Sequence, residues 1–238
     1  MPLPLAKRRA VLRELTTARG VTKSGLAQTL QTLHDRGLLT DALTSTATPG
    51  CYRRAIQAAA EDISGKDTPA GKVVQYMDLP IVGGVAWPYI HPAAFLIHLC
   101  SVCAAFYDLI ADVVARVGPD LLVLVYIDEI DPGNQLAPTN NRTSQCIYWT
   151  LAQLPAWFLR RKSAWFTFGL LRSTLALKIP GHLSALMKLV LRVLFCSTDS
   201  LTRGCILQNG QRSLMITGRF GGFLADEKAL KELHDIKG

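Results

Sequence analysis

Val125-Tyr126-Ile127-Asp128-Glu129-Ile130-Asp131-Pro132-Gly133-Asn134 (VYIDEIDPGN) continues an aliphatic run, Leu121 to Val125 (LLVLV), and then sets three carboxylates within four residues. The aliphatic run predicts a short strand buried on both faces. Carboxylates tolerate burial least, so the strand either surfaces into water at Asp128 or delivers a carboxylate to a site. Alternation along a continuing strand puts Glu129 on the face opposite Asp128. Asp131 either supports Asp128 or caps the Pro132-Gly133 turn.

Downstream, SQCIYWTLAQL (144–154) and AWFTFGLLRS (164–173) read as two further strands rich in aromatic and aliphatic residues, with a polar turn near Arg160-Arg161-Lys162 between them. GHLSALMKLVLRVLF (181–195) is an amphipathic helix. GCILQNGQRSLMITG (204–218) is a hairpin turning at Asn209-Gly210, and RFGGFL (219–224) is a last strand running into Asp226 and a closing helix. The expected order is strand, strand, strand, helix, hairpin or strand, helix. Two strands end in acids, at Asp128 and Asp226. If these strands are adjacent and central in a mixed sheet, both carboxylates emerge at one edge, and such hard oxygen donors suit Mg²⁺ or Mn²⁺.

Upstream, the chain changes character. Residues 1–60 carry nine Lys/Arg against three acids, most of the net charge of +8. Leu26, Leu30 and Leu33 recur at helical spacing, so residues 1–65 read as a basic helical region that can form a helix-turn-helix or an ordinary helical hairpin. Residues 66–118 read as a linker followed by one apolar helix from about Pro92 to Val117, stopped by Gly118-Pro119. His91, just before Pro92, is expected to cap or pack rather than ligate. Cys100-Ser-Val-Cys103 has CxxC spacing, but it sits in an apolar helix without a second ligand pair, so structural thiols are expected. Trp149, Trp157, Trp165 and Phe168 are expected to pack in the core.

A composition of 49% hydrophobic and 18% charged residues supports a sizeable core and excludes wholesale disorder. Mean hydropathy is +0.22, yet the most apolar stretch, Ala93 to Tyr107, is too short for a standard bilayer span. A buried core without a membrane is the expectation. Lys7-Arg8-Arg9 can form part of a nuclear address; a cytoplasmic location is the alternative.

The order of strands and acids resembles the RNase H-like core of DDE transposases. VYIDEIDPGN followed by IYWTLAQLP is similar to the DxxxPxN … YxTLxxLP pattern of eukaryotic cut-and-paste transposases of the Plavaka and CACTA-like kind. GGFLADEKALKELHDIKG (221–238) resembles their second-aspartate segment. The resemblance is best from about Leu121 to Gly238 and diffuse before that. It implies an α/β (α+β) fold with a partial RNase H-like sheet over 119–238, and Asp128 and Asp226 as catalytic, metal-holding carboxylates with Asp131 in support. It further implies Mg²⁺ or Mn²⁺ as cofactor, DNA as partner and a homo-oligomer as a compatible state. Phosphate contacts would come from Lys7, Arg8, Arg9, Arg13 and Lys23. The family's third Asp or Glu follows a cysteine pair, and the sequence ends at Gly238 before either. The expectation is therefore the front part of a transposase, inactive as a truncated or decayed copy, or else a non-catalytic DNA-binding protein derived from a mobile element.

Overall fold

The computed structural model describes residues 65–130 and 143–225. The chain divides into two compact units, Met1–Lys66 and Asp67–Gly238, and the described residues fall almost wholly in the second. Asp131, Asp226 and the N-terminal cations Lys7, Arg8, Arg9, Arg13 and Lys23 lie outside the described residues, as do nearly all of the expected basic helical region and the closing helix.

The described unit is α+β and centres on a five-stranded mixed sheet. Its strands are β5 (Asp120–Ile130), β6 (Ser144–Leu151), β7 (Phe166–Arg172), β8 (Cys205–Asn209) and β9 (Arg212–Leu224), in the order β7-β6-β5-β9-β8. β5, β6 and β7 are successive antiparallel neighbours. β9 lies parallel to β5 on its other side, so both strands run out at the same edge of the sheet. The expected sequence of three strands, a helix and a returning strand is therefore present. The hairpin at Gly210 and the RFGGFL strand merge into one, because β9 continues unbroken from Arg212 to Leu224.

β5 departs from the expected double burial. Leu121, Val123, Val125 and Ile127 are sealed on one face, whereas Leu122 is exposed and Leu124, Tyr126 and Asp128 are half-buried on the other. An aliphatic run cannot reveal which of its faces a neighbour covers. Trp149 and Ile147 of β6 share the sealed face, and one hydrophobic core joins these residues to three helices. The helices are α1 (Pro92–Val102), α2 (Ala104–Val117) and α5 (His182–Phe195); α3 (Ala156–Leu159) and α4 (Ser173–Ala176) are single turns. Phe95 of α1 meets Trp149 edge-on, and Phe95 and Phe106 both pack on Phe166. Helix α5 buries Leu183, Leu186, Met187, Val190 and Leu194, the stripe its 3.6-residue period anticipates.

The single apolar helix expected from Pro92 to Val117 is two helices, bent by 115° at Cys103. Nothing at Cys103 breaks a helix by propensity alone; the bend lets α1 and α2 both bury apolar residues in the same core. No single helix among the described residues is long and apolar enough to cross a membrane. The stretch read as linker holds two small hairpins, β1 (Asp67–Thr68) with β2 (Gly71–Lys72), and β3 (Val74–Leu79) with β4 (Val85–Ile90). Trp87 and Tyr89 of β4 pack on Phe168 of β7, and the Trp87 indole donates to the Leu170 carbonyl at 2.8 Å. His91 caps α1, its Nδ1 accepting from the Ala94 N–H at 3.3 Å. Gly118, at φ 88°, ends α2.

Candidate functional site

Asp128 lies near the outgoing end of β5, on the half-covered face and opposite Cys146 of β6. Period-2 alternation carries Tyr126, Asp128 and Ile130 to this face together. Cross-strand pairing adds Tyr148, whose ring stacks on that of Tyr126 at 5.9 Å and 21°. Trp165, just before β7, stands against Tyr126 at 5.8 Å and 66°, closing a corner. Lys162 and Leu224 complete the lining of a concavity of about 560 Å³.

Leu224 reaches this face because of a register shift. β9 pairs residue for residue with β5 through Val123↔Phe220, skips Gly221, and resumes at Leu124↔Gly222. One extra residue flips every later side chain to the other face. The bulge takes glycine for a steric reason: a Cβ at Gly221 would stand 3.0 Å from the Leu122 Cβ and 3.2 Å from the Val123 carbonyl oxygen. The Gly221-Gly222 pair thus turns Leu224 toward Tyr126 and the concavity.

Electrostatically the site is a carboxylate set among aromatic rings and one ammonium. Burial pushes the Tyr148 phenol well above its ordinary range, with Cys146 and the charge of Asp128 adding to the shift. The Cys146 thiol is raised by burial, a rise opposed by its hydrogen bond with Tyr148. At neutral pH both groups are uncharged, so Tyr148 can serve the site as a hydrogen-bond donor or flat apolar surface, not as a base.

Glu129 projects away from this arrangement, as alternation requires. Its carboxylate accepts from Gln145 Nε2 at 3.3 Å and Ser173 Oγ at 3.0 Å, on the opposite face. Among the described residues, no three His, Cys, Asp or Glu side chains come together as a metal site. Asp128 is the carboxylate in the concavity, and one carboxylate is too few to hold Mg²⁺ or Mn²⁺ against water. Asp226 and Asp131, outside the described residues, remain the sequence's candidates for the other donors.

The CxxC pair is split: Cys100 is buried within α1, whereas Cys103 stands at the break between helices. Burial pushes the Cys100 and Cys205 thiols up to about 12, so neither is a reactive thiolate at neutral pH. Trp149 and Phe168 are core residues, as expected, but Trp157 is 56% exposed and Trp165 lines the concavity. Tyr126, Tyr148, Lys162, Trp165 and Leu224 were not legible as site residues. For Tyr126 a signal existed, since it shares the parity of Asp128 along one strand; Tyr148 joins through strand pairing, Leu224 through the bulge, and Lys162 and Trp165 through the turn between β6 and β7. No family model and no curated protein matches this sequence.

Proposed function

We propose that this chain is a transposase-like DNA-binding protein carrying a partial metal-dependent DDE core. The observation that supports this reading is the parallel pairing of β5 with β9 at the centre of the sheet, which brings the outgoing ends of both strands to one edge. Tyr126 and Leu224 are register partners there. Asp128 lies two positions beyond Tyr126 on β5, the spacing at which strand residues return to one face, and Asp226 follows Leu224 by two positions in the sequence, outside the described residues. In this reading Asp128 and Asp226, with Asp131 in support, hold Mg²⁺ or Mn²⁺, which would supply charge stabilisation at a scissile phosphodiester. Lys7, Arg8, Arg9, Arg13 and Lys23 contribute phosphate contacts that weaken with salt.

Thermal stability measured across a Mn²⁺ titration tests this. A ligand bound only by the folded state stabilises by about 2.7 kcal/mol at a hundredfold excess over its Kd. The expected result is stabilisation of the wild type that both Asp128→Asn and Asp226→Asn abolish. An unresponsive wild type would remove the metal site.

A second reading, a non-catalytic DNA-binding protein derived from a mobile element, is favoured by the single carboxylate of the described concavity together with the excess of cations. Its signature is salt-sensitive DNA binding that EDTA leaves unchanged. In either reading a nuclear location is proposed, with a cytoplasmic one as the alternative, and a homo-oligomer is compatible.

A further inference from the structure

Residues 143–198 contain no Asp or Glu, yet they carry Arg160, Arg161, Lys162, Arg172, Lys178, Lys188 and Arg192. Three of these cations are consecutive and exposed, in the turn between β6 and β7. Aromatic rings stand at both ends of that turn. On one side Trp157 is 56% exposed, with the Arg161 guanidinium 5.3 Å above its ring. On the other, Lys162 and Trp165 line the concavity with Tyr126 and Tyr148. The turn is anchored to the sheet, since the fully buried Thr150 hydroxyl donates to the Ala164 carbonyl at 2.7 Å. The Trp165 indole donates to the Leu159 carbonyl at 3.2 Å, which fixes its ring.

We propose that the turn Trp157–Trp165 and the concavity beside it form a binding track for an unpaired nucleic-acid strand. Arg160, Arg161 and Lys162 meet its phosphates, and one base lies against Trp165 and Tyr126. The chemistry favours a single strand over a duplex. Flat rings gain from stacking only on a base whose face is free, and a base in a duplex has its faces covered. The concavity of about 560 Å³ has room for one nucleotide; its aromatic walls give a base a flat surface, Lys162 stands on the phosphate side, and the Asp128 carboxylate can accept from a base amino group. This inference deepens the DNA-binding reading above and rests on it for the class of partner, but it needs no metal. It also names cations other than those at the N-terminus of the sequence.

The test uses the full chain in EDTA and a single-stranded oligonucleotide of about 12 nucleotides carrying 2-aminopurine, within the range such sites occupy. Binding is followed by anisotropy, and stacking by quenching of the 2-aminopurine emission. Trp165→Leu is expected to weaken binding at least about fivefold and to relieve the quenching, as removal of one stacked base should. The exposed triple variant Arg160→Ala/Arg161→Ala/Lys162→Ala should flatten the salt dependence by about 0.7 in log–log slope for each phosphate no longer neutralised. Lys188→Ala, an exposed cation of helix α5 in the same acid-free stretch, should stay within twofold of wild type. Affinities of Trp165→Leu and the triple variant both within twofold of wild type would overturn the track, as would an equal weakening in Lys188→Ala. A strand affinity that depends on Trp165 in a protein without any Mn²⁺ response would uphold the track and overturn the metal reading alone.

Discussion

On one face of the five-stranded sheet Val123, Val125, Ile127, Ile147 and Trp149 are sealed beneath α1, α2 and α5. On the other, Leu122, Leu170, Ile206, Met215 and Leu224 stay exposed, and Leu224 lines the concavity with Tyr126, Asp128 and Tyr148. The same strands build both faces, and their residue types differ little in hydrophobicity. The difference is what lies above them. Helices convert one face into the core that stabilises the unit, and the other keeps the groups that can meet a partner. The charged turn Arg160–Lys162 borders the concavity on this face through Lys162.

The largest effect should come from the sealed face. Trp149→Ala removes a fully buried indole and is expected to destabilise by about 3–5 kcal/mol in urea unfolding. A cost near that of an open-face substitution would mean that the two faces are not energetically distinct.

Next is the seam where the β3–β4 hairpin meets β7. A Cβ at Gly169 would stand 2.6 Å from Trp87 Cζ2, so Gly169→Ala must displace the ring that packs on Phe168. The expected destabilisation is about 1–3 kcal/mol, measured by the same unfolding titration; Gly169→Ala with wild-type stability would show the hairpin to be loosely held.

The sealed face should also be sensitive to pH at both ends of the scale. Burial lowers the His91 imidazole below its usual 6.5, partly offset by Asp199. The cap at Ala94 needs a neutral Nδ1 acceptor. A lowered folded pKa means that the unfolded state takes the proton first. The His91 contribution is therefore present above pH 6.5 and lost as the pH falls through the folded value. His91→Asn should keep the cap and flatten that acid limb, and His91→Ala should cost about 0.5–2 kcal/mol. At the alkaline end Cys100 and Cys205 ionise near 12 in the folded chain against 9.0 when free, so stability should decline from pH 9 toward 12. Thermal scans across pH check both limbs, and a flat acid limb would exclude a neutral His91 cap.

The smallest effect belongs to the open face. Leu170→Ser, at a side chain 51% exposed, should change stability by no more than about 0.5 kcal/mol. A large drop would show that something covers this face in the folded protein.

Much of this was legible in the residues themselves. β6, β7 and α5 and the tight turn at Gly210 follow from local pattern, because side-chain period and turn chemistry are properties of neighbours in sequence. The His91 cap was legible because Pro92 marks a first helical turn. The opposite directions of Asp128 and Glu129 were legible because alternation needs no partner strand. What the sequence could not determine depends on packing between distant residues. The bend at Cys103 answers to a shared core, and the β3–β4 hairpin to a ledge on Phe168 that lies far along the chain. The exposed side of β5 answers to the absence of a helix above it in the described unit. The concavity is the clearest case. Tyr126, Tyr148, Trp165 and Leu224 come from four segments, and only strand pairing, the one-residue bulge at Gly221 and the turn between β6 and β7 place them around Asp128. Local sequence sets which way a side chain leaves its own strand; tertiary pairing decides what it meets there.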